Sequence, residues 1–151
     1  MDLKQKLSAN YELWEFVVSQ TAERKGINNI PSEEVVRNLK KLCDTILQPA
    51  RFDLGPLMVS SGYRSPKLNK AVGGASDSGH ILGFCADILP INVSKLDFAR
   101  WVYKNANFDQ IILEYGSKDE PAWVHVSADP RGRRQVLQIL KGSKYEHINL
   151  K

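Results

Sequence analysis

The chain has 151 residues but only two cysteines, two methionines and three histidines. Two thiols cannot make a disulfide framework, and Cys43 and Cys85 are expected to be free and buried. No C-x-x-C pair occurs, which excludes a thiolate zinc finger. Apolar runs near the ~20 residues that span a bilayer are missing, so no membrane partner is expected. The opening "MDLKQKLSANYELWEF" has no apolar h-region, which predicts synthesis in the cytoplasm, with action on a cell wall only after release. Internal repeats, low-complexity tracts and long linkers are also missing, and the length suits one domain spanning 1–151. The net charge of +4 favours an anionic partner only weakly. The one dense basic stretch, residues 131–144, reads as a solvated hairpin. No basic helix interleaved with aromatics is present, so nucleic acid is not an expected partner.

What is present reads as helices first and mixed strands afterwards. "NYELWEFVVSQTAERKG" is a short helix or a pair of turns stopping at Gly26. "PSEEVVRNLKKLCDTILQPAR" carries Val35, Val36, Leu39, Leu42, Cys43, Ile46 and Leu47 on one helical face. Pro31 and Ser32 open it and Pro49 is expected to close it. A strand is predicted over 57–60, and "SPKLNKAVGG" is a short helix ended by Gly73 and Gly74. A second strand covers 85–89, and a helix follows in "NVSKLDFARWVYKNAN", with Ser94 and Asp97 resembling a capping box. "FDQIILEYG" and "AWVHVSAD" are strands separated by the turn "SKDEP", and "RRQVLQILKG" adds one more. The expected fold is α+β: a central, mostly antiparallel sheet with helices packed on it.

Three polar residues stand out. Alternation in "AWVHVSAD" puts Trp123, His125 and Ser127 on one face and Val124 and Val126 on the other. In "SDSGHILGFCADI", His80 lies in a loop of small residues, Gly83 lets the chain turn back, and a strand presents Asp87. A loop His, a strand Asp and a His on a second strand form a set of three ligands suited to zinc, one per chain, with a fourth position open to water. Cys85 shares a face with Asp87 but sits among apolar neighbours and reads as packing.

"SSGYRSPKLNKAVGG", "SDSGHILGFCADI" and "WVHVS", in this order across residues 60–127, resemble the zinc peptidases of the D-alanyl-D-alanine carboxypeptidase type. That group includes phage endolysins and small cell-wall peptidases and shares its fold with the hedgehog signalling domain. The resemblance implies that His80, Asp87 and His125 are zinc ligands and that Arg64 holds substrate and polarises the scissile carbonyl. It also implies that Ser78 binds substrate or orients its loop. The chain departs from the pattern at the general base. Many members have an acid three positions before the second His, where Ala122 stands, and others a His two before it, where Trp123 stands. Glu114, at the end of "DQIILE", is the expected substitute, with Glu120 in the following turn second to it. Gln110 is either a hydrogen-bonding site residue or a cross-strand partner, and His147 is a surface residue. The implied activity is hydrolysis of peptidoglycan stem peptides, by carboxypeptidase or endopeptidase cleavage, from a monomer. The alternative is a zinc-containing wall-binding module without turnover.

Overall fold

A computed structural model describes residues 1–150. A small hairpin of β1 (Lys6–Ser8) and β2 (Tyr11–Glu12) precedes the helices, and a 3-10 turn, Leu13–Phe16, buries Leu13 and Phe16. Helix α1 (Gln20–Lys25) starts at Ser19, whose hydroxyl accepts from Ala22 N–H, and stops at Gly26. Helix α2 (Glu33–Leu42) is capped by Ser32 Oγ and carries Glu33 and Glu34 in its first turn, where they complement the helix dipole.

Pro49 does not close this segment. The chain runs from α2 through a π-turn, Cys43–Leu47, into α3 (Gln48–Leu54), and ends at Gly55. A proline ring inside a regular helix collides with the carbonyl four residues earlier and leaves it without a donor. Here Gln48 N–H reaches back to the Cys43 carbonyl, and the widened turn lets Pro49 enter α3 in its first turn, where no N–H is needed. All seven apolar positions predicted for the buried face are buried.

Strand β3 (Leu57–Ser61) is followed by α4 (Pro66–Ala71), a 3-10 turn at Gly79–Ile81 and β4 (Cys85–Pro90). Then come α5 (Lys95–Asn105), β5 (Gln110–Glu114), β6 (Trp123–Ser127), β7 (Gln135–Ile139) and β8 (Glu146–His147). The main sheet has the order β3-β4-β6-β5-β7-β8. Every neighbouring pair is antiparallel except β5 and β7. The chain leaving β6 crosses to the far side of β5, so β7 lies parallel to it.

Alternation divides the sheet into two faces. Ala86, Ile88, Ile111, Leu113, Val124, Val126 and Val136 join the core with α2, α5 and the N-terminal segment. Cys85, Asp87, Gln110, Ile112, Glu114, Trp123, His125 and Ser127 line a cleft on the other face.

The basic stretch at 131–144 is strand β7 with its flanks, and its arginines have internal partners. Arg131 pairs with Asp129 at 2.7 Å and Arg133 with the buried Asp109 at 2.8 Å. Arg134 lies 4.4 Å over the Phe108 ring. His147 is exposed on β8, as expected.

Candidate metal centre and active-site cleft

Asp87 on β4 and His125 on β6 face each other as Cα partners in the ladder. The pairing brings Asp87 Oδ1 to 3.0 Å from His125 Nδ1. His80 reaches the same oxygen from the 3-10 turn, with Nε2 at 3.4 Å. All three side chains are buried.

The loop that carries His80 is fixed locally. Ser78 Oγ accepts from His80 N–H at 3.2 Å and opens the turn. Gly83 has φ +77, and a Cβ there would come 2.9 Å from Val35, so the reversal before β4 requires glycine. His80 Nδ1 lies 2.7 Å from the Gly62 carbonyl. A carbonyl only accepts, so Nδ1 carries the hydrogen and Nε2 is the nitrogen left for a ligand bond.

These buried groups act strongly on one another's proton affinity. Burial works against a charged His80, yet Cys85 and Asp87 raise its pKa to about 9. His125 is raised well above its ordinary value, also against burial, by the same two neighbours. Burial pushes Asp87 up, but hydrogen bonds from His125 and His80 win and hold it well below the carboxylate range. Burial likewise pushes the Cys85 thiol up, and the two imidazoles bring it down to about 7. The imidazoles and the Asp87 carboxylate thus face one another across 3.0–3.4 Å, around a position that a cation could take.

Glu114 closes one side of the cleft. Its Oε1 lies 3.7 Å from His125 Nδ1. Burial raises its pKa, while His125 opposes that shift. Trp123, the Cα partner of Glu114 across the ladder, has a buried indole nitrogen without a hydrogen bond of ordinary geometry among the described residues. It lies near enough to Glu114 to favour the ionised carboxylate. Arg64 lines the same cleft, with Nη2 3.7 Å from Asp87 Oδ2. Its Nε donates to Ser61 Oγ at 3.2 Å and its Nη1 to Asn69 Oδ1 at 3.0 Å. The guanidinium is thus held by β3 and α4 beside the cleft.

The structure gathers His80, Asp87, His125, Glu114, Arg64, Ser78 and Gln110 around one solvent-open cleft of about 1400 Å³. Gln110 Nε2 donates to Gln135 Oε1 at 2.8 Å, which makes it a cross-strand partner at the cleft rim. Glu120 is exposed in its turn, away from the cleft lining. Three contributors escape sequence reasoning: the Gly62 carbonyl, Asn69 and Cys85. The first is backbone, and Asn69 has no motif spacing of its own. Cys85 is fully buried, as expected, but against imidazoles instead of aliphatic groups.

Ligand atoms of His80, Cys85 and His125 all lie within 4.8 Å of one another, as do those of Asp87, Glu114 and His125. Imidazole, carboxylate and thiol are all zinc donors, so the residues present suit that ion.

A family model described as peptidase M15 matches residues 9–127. The chain belongs to the peptidase M15 family. This is the zinc D-Ala-D-Ala carboxypeptidase-type family. M15 peptidases are zinc-dependent, in keeping with the donor set of the cleft. No curated protein matches the chain. The match covers β2 to β6 and so includes every M15-type motif residue from Arg64 to His125.

Proposed function

We propose that this M15 chain is a zinc metallopeptidase, one domain acting as a monomer, that hydrolyses peptide bonds in peptidoglycan stem peptides. One observation carries the reading: Asp87 Oδ1 is in reach of two imidazoles, at 3.0 and 3.4 Å, with Glu114 beside His125 and Arg64 beside Asp87 in one cleft. His80 through Nε2, Asp87 and His125 through Nδ1 would hold the ion. The chemistry supplied by bound zinc is Lewis acidity, which polarises a carbonyl and acidifies water towards a pKa of ~7.

The chain's own residues do the rest. Glu114 takes a proton from the attacking water and returns it to the leaving amine. Its burial raises the carboxyl's pKa above the ordinary glutamate value, which makes it a stronger proton acceptor than an exposed glutamate. Arg64 binds a substrate carboxylate or the oxygen on which charge develops, and its bonds to Ser61 and Asn69 keep it aimed. Ala122, where many relatives carry an acid, is small and donates its backbone N–H to the Glu114 carbonyl at 2.9 Å. The carboxylate thus comes from the neighbouring strand.

The test is hydrolysis of purified cell wall by the zinc-loaded protein, by its Glu114→Gln variant and after chelation. Loss of turnover in the variant with zinc retained is the expected result. Wild-type protein that binds zinc and wall fragments but turns over no faster than Glu114→Gln would be a binding module.

A further inference from the structure

Three tryptophans are present, and two of them donate their indole N–H to a carboxylate. Trp14 Nε1 donates to Glu12 Oε2 at 2.6 Å, and Trp101 Nε1 to Asp53 Oδ2 at 2.9 Å, both on the surface. The third differs. Among the described residues, Trp123 Nε1 is the one buried side-chain nitrogen or oxygen without a hydrogen bond of ordinary geometry. A buried N–H that gives up water without gaining an acceptor is destabilising, and native proteins rarely leave one. The acceptor across the ladder is Glu114. The two residues are Cα partners on β5 and β6, and both line the cleft. Directly opposed residues hold their Cβ atoms about 4.5–5.5 Å apart on one face of a sheet. The charged neighbour of Glu114, His125 Nδ1, lies at 3.7 Å, beyond hydrogen-bond length. Burial raises the Glu114 pKa, and the indole is among the groups that oppose that shift, as a donor close to the charged oxygens does. The indole ring is itself held, with Tyr115 packed edge-on against it at 5.4 Å between centroids.

We propose that Trp123 is the positioning residue of the general base: its Nε1–H donates to the Glu114 carboxylate and fixes how that carboxylate faces the cleft. The indole nitrogen is too buried to reach a substrate, so it acts through Glu114. One carboxylate oxygen held by the indole leaves the other for the proton of the attacking water. Hydrogen bonds to a charged acceptor are short and strong, and a small misplacement of a reacting group costs a large rate factor. The effect on turnover rests on the peptidase reading; the hydrogen bond does not.

The experiment uses the full zinc-loaded chain labelled with ¹⁵N, whose three indole N–H groups give three signals in a proton–nitrogen correlation spectrum. Trp14→Phe and Trp101→Phe, at the two surface bonds, assign two signals and leave the third to Trp123. Glu114→Met keeps the side-chain length and removes the acceptor. The Trp123 signal is expected to move upfield and to exchange faster with water, while the other two stay in place. An unmoved Trp123 signal in folded Glu114→Met overturns the bond. In turnover, Trp123→Phe keeps an aromatic ring against Tyr115 and lacks the donor. Its kcat is expected to fall about 10–100-fold, with KM and zinc content unchanged. In the Glu114→Gln background the same change should add no further loss. An unchanged kcat, a raised KM alone, or an equal loss in both backgrounds overturns the positioning role. If Trp123→Phe fails to fold, the Glu114→Met spectrum decides. If the wild type hydrolyses nothing, the peptidase reading fails, and the spectrum still decides the bond.

Discussion

At the scale of single residues, Glu114 and Ser78 illustrate two kinds of contribution. Glu114→Gln keeps the side-chain volume and removes the proton acceptor. Its kcat on stem peptides is expected to fall about 10²–10⁴-fold with zinc content unchanged, checked by steady-state kinetics beside metal analysis. His125→Ala should lose zinc and hydrolysis together, because this imidazole belongs to both ligand clusters. Ser78 has its hydroxyl engaged by the backbone N–H of His80. Ser78→Ala should therefore cost about 1 kcal/mol of stability in urea denaturation; an unchanged midpoint would mean the hydroxyl is free for substrate. Alternation and the turn at Gly83 make His80, Asp87 and His125 legible in the sequence. Cys85 was not readable in the same way, since a cysteine between Phe84 and Ala86 looks the same whether it packs on leucine or imidazole.

At the scale of elements, most strands and helices follow from periodicity, and the exceptions have physical causes. Pro49 is a stop signal only if the preceding turn is α-helical, and the π-turn at Cys43–Leu47 removes that condition. The β1–β2 hairpin leaves no signal in the sequence because its strands have three and two residues, too few for a period to show. The parallel placement of β7 depends on a crossover anchored by a long-range contact. Asp109, just before β5, accepts from Arg133 N, Nε and Nη2 and from Ser127 Oγ. Asp109→Ala leaves those donors without their acceptor while Arg133 stays partly solvated. It is expected to cost about 2–3 kcal/mol, read as a lowered urea midpoint. A variant as stable as the wild type would show that strand pairing alone holds β7.

At the scale of the whole molecule, stability, metal and pH are linked. Without metal, burial disfavours the His80 cation, but Cys85 and Asp87 raise its pKa from 6.5 to about 9. That contribution to stability is fully present below about 6.5 and is lost as pH rises through about 9. Asp87 has the opposite sign: its depressed pKa stabilises above about 3.8 and is lost as pH falls through the folded value. A metal must displace the His80 proton, so its affinity should rise about tenfold per pH unit for each proton released, up to the folded pKa. The zinc-induced rise in Tm should accordingly grow from about pH 6 to about pH 9. A rise independent of pH would show that no imidazole proton is displaced.

The most direct measurement is mass spectrometry of the fragments released from purified peptidoglycan by zinc-loaded protein, with chelated protein and zinc-loaded Glu114→Gln run beside it. The zinc-loaded wild type is expected to release stem-peptide products with newly formed termini, and the other two samples at most about a hundredth as much. Equal release by metal-free protein, or none by fully loaded wild type, would contradict a zinc peptidase acting on these peptides.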